Sequence, residues 1–181
     1  MHTAYIAMGS NLGSQAGGPA ETLAAVVERL GSLGHLAARS SLYLTEPVGI
    51  AEQPRFVNAV VALETGLSPR SLLKRLLALE KEFGRDRTRG VAMGPRTLDL
   101  DILMIGDFVL HEAGLDLPHP RLAERAFVLV PLHEIAPDLV EPRSRKPIAT
   151  LFRSLREADP TCSKKVARIT HSSWEAADAT R

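Results

Sequence analysis

Gly94-Pro95-Arg96-Thr97-Leu98-Asp99-Leu100-Asp101-Ile102-Leu103-Met104-Ile105 is the stretch on which the reading of this chain turns. From Thr97 to Ile105 apolar and polar positions alternate, which predicts a strand. On a strand Leu98, Leu100, Ile102 and Met104 point one way, and Asp99 and Asp101 point the other. Upstream, Ser68-Pro69 opens a helix, with a cap residue followed by proline in the first turn. Its buried stripe is Leu72, Leu76, Leu79 and Phe83, and Gly84 ends it. A polar loop from Arg85 to Pro95, carrying three arginines before Pro95, joins that helix to the strand. Downstream, Gly106-Asp107 turns the chain into Phe108-Val109-Leu110.

Further out, Phe56 to Glu64 reads as another strand. Val57, Ala59, Val61 and Leu63 share one face, and Phe56 and Asn58 lie on the opposite one. Leu36 to Thr45 reads as the strand before it. Leu23, Val26, Val27, Leu30 and Leu33 have helical spacing between Pro19 and Gly34, and Thr3 to Met8 is a first short strand. The order strand, helix, strand, strand, helix, strand is the ferredoxin-like βαββαβ pattern. The fold class expected is therefore α+β, with helices packed on an antiparallel sheet. Phe127 to Ile135 is expected as a short helix despite Pro131. Pro147 opens a helix with Ile148, Leu151, Phe152 and Leu155 on its face. Val166 to Thr170 adds a strand. One domain is expected over 1–170, followed by a mobile tail over 171–181.

Composition agrees with one globular domain. The chain has 181 residues, 45% of them hydrophobic and 24% charged. Lys and Arg number 22 against 21 Asp and Glu, a net charge of +1, which excludes an electrostatically driven nucleic-acid binder. The single cysteine, Cys162, excludes an internal disulfide and a cysteine-rich zinc site. No stretch has the length and apolarity of a membrane span or a signal peptide. The expected setting is the cytoplasm.

The chemistry is concentrated around Asp99 and Asp101. Alternate carboxylates on one strand face stand ~7 Å apart. Hard oxygen ligands at that spacing suit magnesium, and paired metals suit phosphoryl transfer. Taken alone, Asp-x-Asp is more often the solvent-facing edge of an amphipathic strand. Arg85, Arg87, Arg89 and Arg96 shift that balance, because guanidinium groups grip phosphate. His119, fixed between Pro118 and Pro120, is a candidate phosphate ligand or proton donor. Phe56 and Asn58 share a face, so a flat heterocycle can stack on the ring and be read by the amide. Gly9-Ser10-Asn11-Leu12-Gly13 lacks the lysine and spacing of a Walker loop and reads as a structural turn.

In this combination the chain resembles the 6-hydroxymethyl-7,8-dihydropterin pyrophosphokinase family. The resemblance runs from about Ala4 to about Pro142. It rests on Gly9-Ser10-Asn11-Leu12, Thr45-Glu46-Pro47-Val48-Gly49, Phe56-Val57-Asn58-Ala59, Glu80 with Gly84-Arg85, Gly94 to Ile102, Pro118-His119, and Arg125-Ala126-Phe127. It implies transfer of pyrophosphate from ATP to the hydroxymethyl group of the pterin, with AMP leaving, in folate biosynthesis. It further implies that Asp99 and Asp101 hold two magnesium ions and that Arg85 and Arg96 steady the transferring group. Glu80, Arg87, His119 and Arg125 are implied on the nucleotide side. Phe56 and Phe127 are implied to sandwich the pterin, whose polar edge is met by Thr45, Asn58 and the backbone near Glu46 and Val48. A monomer acting only on small molecules is implied. The chain differs from the usual pattern at Leu77, Ala92, Met93, Gly114 and Asp116.

Other classes remain open on the residues alone. A ferredoxin-like RNA-binding module needs exposed strand aromatics and a basic face, which the sequence lacks. A regulatory domain without turnover leaves the carboxylates and arginines unexplained. An ordinary kinase moving only the γ-phosphate differs from the reading above in nothing that residue spacing tests.

Overall fold

The computed structural model describes residues 1–47, 52–86 and 94–177. Its centre is an antiparallel sheet. Strand β1 (His2–Ser10) lies between β4 (Phe56–Thr65) and β5 (Asp99–Ile105). Helix α1 (Pro19–Leu30) follows β1, and helix α2 (Pro69–Glu82) joins β4 to β5. Strands β2 (His35–Arg39) and β3 (Leu42–Thr45) both pair with β4, along successive parts of its length. Counting β2 and β3 as one interrupted strand, the spatial order is fourth, first, third, second, as the ferredoxin-like pattern requires.

That interruption departs from the single strand expected over Leu36 to Thr45. At Ser40 the backbone N–H still bonds the Val60 carbonyl (2.9 Å). The Ser40 hydroxyl in turn accepts from the Val60 N–H (2.9 Å), replacing a ladder bond with a side-chain one. Both helices start as expected, but α1 ends at Leu30 with Gly31 as its C-cap, short of the expected Gly34 and leaving Leu33 beyond it. Pro19 and Pro69 sit in their first turns, and the Ser68 hydroxyl caps the Ser71 N–H. Their apolar stripes pack with Ala4, Ile6, Val57, Ala59, Val61, Leu63, Leu100 and Ile102 into the larger core.

The C-terminal third covers the sheet's second face. A hairpin, β6 (Leu110–Glu112) and β7 (Leu115–Leu117), follows β5. Helix α3 (Ala126–Ile135) then accommodates Pro131 in its second turn, where only the bond to the Phe127 carbonyl is forgone. A short hairpin, β8 (Val140–Glu141) and β9 (Lys146–Pro147), leads into α4 (Ile148–Ala158). These helices pack with Val60, Leu103 and Met104 as a second core. Met104 thus faces away from Leu100 and Ile102, contrary to simple alternation. The ladder pairs Ile102 with Ile6 and Met104 with Tyr5, so Leu103 is an extra residue, a bulge that resets the phase.

Strand β10 (Val166–Ile169) adds to the outer edge of β3 as expected. The expected mobile tail is corrected over His171–Ala177: Ser172–Ala176 form a short helix, α5, docked on α1. The cause is Trp174, which is 5% exposed. Its indole N–H donates to the Ser40 carbonyl (3.1 Å), and the Arg39 guanidinium stacks 4.4 Å from its ring centroid. Among the described residues no helix is long and apolar enough to cross a membrane.

Candidate active site

A cleft opens at the end of the sheet where β1, β3, β4 and β5 carry Met8 and Gly9, Thr45, Phe56 and Asn58, and Asp99 and Asp101. Arg96 precedes β5, Glu46 follows β3, and Arg121, Arg125 and Phe127 approach from the start of α3. The floor is Gly9. It pairs with Asn58 on one side and Asp99 on the other. A Cβ there would stand 3.0 Å from Asn58 Oδ1, 3.9 Å from Asp99 Cβ and 4.0 Å from the Phe56 ring. The absent side chain is thus space that a ligand can share with the amide, the carboxylate and the ring.

Asn58 is buried, and its Nδ2 donates to Thr45 Oγ1 (2.8 Å). That bond turns Oδ1 toward Gly9 as the acceptor at the cleft. Phe56 and Phe127 each have an arginine over the ring: Arg96 at 5.8 Å and Arg125 at 5.6 Å from the centroids. The rims of the cleft are therefore aromatic and cationic together.

Asp99 is paired with two arginines. Arg96 Nη1 donates to its Oδ2 (2.8 Å), and Arg85 Nη1 donates to its Oδ1. Burial pushes its carboxyl up, but the two guanidinium groups outweigh that and hold it below the ordinary aspartate value. Asp101 is the opposite case. Burial and the Asp99 charge push it up, against weaker opposition from His119, Arg125 and Arg85. Among the described residues it pairs with Arg125, whose Nη1 is 3.6 Å from Oδ2. These two carboxylates on one strand face, one of them raised by burial and by its neighbour's charge, are the residues that could hold a cation.

The turn after β1 braces this arrangement, in keeping with its structural reading. The Arg96 carbonyl accepts from the Asn11 and Leu12 N–H groups (both 3.1 Å), and the Arg96 N–H donates to Asn11 Oδ1 (2.8 Å). Asn11 Nδ2 donates to the Pro54 carbonyl (2.9 Å), tying the same turn to the approach of Phe56. His119 lies beside Asp101. Its N–H donates to the Leu103 carbonyl (2.8 Å), and its Nδ1 accepts from the Arg121 N–H (3.1 Å). Burial lowers its pKa, helped by Arg125 and Arg121 and opposed by Asp101, so the neutral ring carries its proton on Nε2.

Nine of the residues expected at a site line the one cleft: Thr45, Glu46, Phe56, Asn58, Arg96, Asp99, Asp101, Arg125 and Phe127. Glu46 is held at the rim by Arg55 (2.7 Å). Arg85 stands behind Asp99. Glu80, expected on the nucleotide side, is 1% exposed and turned into the protein, accepting from the Leu100 N–H and from Arg85 (both 2.9 Å). Its spacing of four from Leu76 and eight from Leu72 places it on the buried stripe of α2, and that was the signal for its inward direction. Val48 and Arg87 lie outside the described residues, as do Arg89, Ala92 and Met93. Asp116 pairs with His111 across the β6–β7 hairpin. Sequence reasoning missed Gly9 and Arg121. Arg121 reaches the cleft, and among the described residues its guanidinium pairs at 3.7 Å with exposed Glu124.

The chain matches the family model described as 7,8-dihydro-6-hydroxymethylpterin-pyrophosphokinase over residues 5–137. It is 47% identical over 147 residues to 2-amino-4-hydroxy-6-hydroxymethyldihydropteridine pyrophosphokinase of Haemophilus influenzae, covering 80% of this chain and 88% of that one. Identity to the protein of the same name from Pseudomonas aeruginosa is 47% over 143 residues, covering 78% and 85%. A crystal structure of Plasmodium falciparum HPPK-DHPS with pterin and p-hydroxybenzoate superposes with a TM-score of 0.73 at 16% identity, covering 94% of this chain and 48% of that larger one. At that identity the likeness speaks to the fold.

Proposed function

The chain belongs to the 7,8-dihydro-6-hydroxymethylpterin-pyrophosphokinase family, and from that premise we propose that the cleft over Gly9 is its active site. The enzyme transfers pyrophosphate from ATP to the hydroxymethyl group of 6-hydroxymethyl-7,8-dihydropterin, releasing AMP, in folate biosynthesis. The observation that carries the site assignment is one cleft holding the Asp99–Asp101 pair, two arginine-capped phenyl rings and a buried amide.

The pterin lies between Phe56 and Phe127, over the space left by Gly9. Asn58 Oδ1 accepts from its polar edge, and the Thr45 hydroxyl holds that amide in place. The backbone near Glu46 and Val48 completes that edge. The polyphosphate lies along Arg96, Arg125 and Arg121, with His119 on the same side and Arg85 behind Asp99; Arg87 remains expected as a further phosphate contact. Positioning of two bound substrates and neutralisation of developing phosphate charge supply the catalysis.

Asp99 and Asp101 suit magnesium. Among the described residues no cluster of three or more His, Cys, Asp or Glu forms a metal cage. A pair of carboxylates leaves positions for phosphate oxygens and water, the mode magnesium takes. Two such ions, when bound, neutralise phosphate charge and lower the pKa of the attacking hydroxyl. We place the enzyme in the cytoplasm, where ATP is supplied, and assign it as a monomer, since one chain furnishes the whole cleft.

The test is to combine protein, ATP, magnesium and 6-hydroxymethyl-7,8-dihydropterin and to identify the nucleotide released. AMP formed only with the pterin is the expected result. ADP would mean transfer of the γ-phosphate alone, and no nucleotide product from folded protein would mean a binding role.

A further inference from the structure

Glu80 is buried and outside the cleft, so the reading above leaves it without a task. Its Oε1 accepts from two donors that both belong to the site's support. One is the Leu100 N–H, between Asp99 and Asp101 (2.9 Å), and the other is Arg85 Nη1 (2.9 Å). The same Arg85 nitrogen donates to the Leu98 carbonyl (2.9 Å) and to Asp99 Oδ1. A backbone N–H alone does not call for a charge: a glutamine would satisfy it without the cost of burying a carboxylate. Glu80 and Arg85 form an ion pair (2.9 Å) whose side chains are only 2% and 14% exposed.

We propose that Glu80 is a positioning residue, sharing Arg85 with Asp99 so that Asp99 stays available to a cation, while its grip on Leu100 fixes the strand between the two carboxylates. This rests on the assignment of Asp99 and Asp101 as the metal pair. With Glu80 charged, one guanidinium nitrogen is divided between two carboxylates. With Glu80 neutral, that nitrogen keeps Asp99 as its carboxylate partner and closes on it, and an incoming cation must displace it. Glu80 thus acts on the metal pair through Arg85 and touches no substrate.

The experiment is a double-mutant cycle of Glu80→Gln and Arg85→Ala, read by Mn2+ affinity without nucleotide and by kcat, with melting temperature as the check on folding. Glutamine keeps the acceptor for Leu100 and removes only the charge. Supporting partners of metal ligands change affinity or activity by about 10- to 100-fold. Glu80→Gln should accordingly raise the Kd for Mn2+ about tenfold and lower kcat. Arg85→Ala should tighten Mn2+ binding, and adding Glu80→Gln to it should move Kd by less than twofold. Equal factors in the two backgrounds, or an unchanged Kd in Glu80→Gln, would overturn the proposal. If Glu80→Gln does not fold, Glu80→Asp takes its place, since it keeps the charge but withdraws it from Arg85 by one methylene. Wild-type protein that binds Mn2+ but releases no AMP would refute the activity and leave the role of Glu80 to be decided by the affinity cycle. Wild-type protein that binds no Mn2+ would overturn both.

Discussion

Replacing Gly9 by alanine separates the site from the fold. Gly9 lies in β1 without a positive φ, so the backbone accepts alanine there. The new methyl would stand 3.0 Å from Asn58 Oδ1, and the amide must retreat by a few tenths of an ångström. That retreat strains the bond from Asn58 Nδ2 to Thr45 Oγ1, now 2.8 Å. Losing it costs about 1 kcal/mol net. The reduced freedom of the unfolded chain returns about 0.4–1 kcal/mol. Stability should therefore change by less than about 1 kcal/mol, or less than ~4 °C in Tm for a chain of this size. The cleft fares differently. The methyl occupies space shared by Asn58, Asp99 and Phe56, and displacing a bound ring by about 1 Å costs on the order of 100-fold. In steady-state assays the KM for the pterin should rise at least about tenfold while the KM for ATP holds. Normal pterin kinetics in a folded Gly9→Ala enzyme would refute the placement of the ring over Gly9.

Three other outcomes follow from the geometry. Asp101→Asn removes a carboxyl that burial and Asp99 push up, so its melting temperature at pH 7 should equal or exceed wild type while AMP release disappears. A folded variant retaining near-normal turnover would remove Asp101 from the metal pair. Burial and the Glu134 carboxylate raise the Tyr43 phenol to about 12, above its ordinary value of 10.0. The neutral phenol is favoured in the folded state, so this stabilisation is complete below pH ~10 and is lost as pH rises toward 12; absorbance at 295 nm should show a late step that Glu134→Gln moves earlier. Trp174→Ala should cost about 3 kcal/mol, or ~6–12 °C in Tm. Because Trp174 is the only tryptophan, wild-type fluorescence reports the release of α5 directly, and a blue-shifted spectrum that persists after proteolysis of the tail would contradict its docking.

Most of the frame was legible in local pattern. The Leu98 to Ile102 alternation, the proline-started helices and the stripe from Ile148 to Leu155 all depend on residues near one another in the chain. The departures come from contacts between distant segments. The bulge at Leu103 answers the register with Tyr5 and Ile6, and a single strand carries no mark of it. Ser40 breaks the second strand because its hydroxyl finds Val60 across the sheet. Trp174 lies in a polar tail, yet its indole fits between Arg39 and Ser40, more than 130 positions away. The site followed the same rule. Residue types on a shared strand face, such as Asp99 with Asp101 and Phe56 with Asn58, were visible. The value of an empty position at Gly9 and the direction of Glu80 required the neighbouring elements.

The position of β5 at the edge of the sheet carries a further consequence. An edge strand offers unpaired backbone groups to any other chain, and proteins must blunt it. Among the described residues no strand pairs with its outer side. Arg85 takes the Leu98 carbonyl, Glu80 takes the Leu100 N–H, and the His119 N–H takes the Leu103 carbonyl. Residues that brace Asp99 and its strand thereby also guard against strand-to-strand aggregation. Variants at Arg85 or Glu80 lose a guard along with whatever chemistry they lose, and their light scattering belongs beside their kinetics.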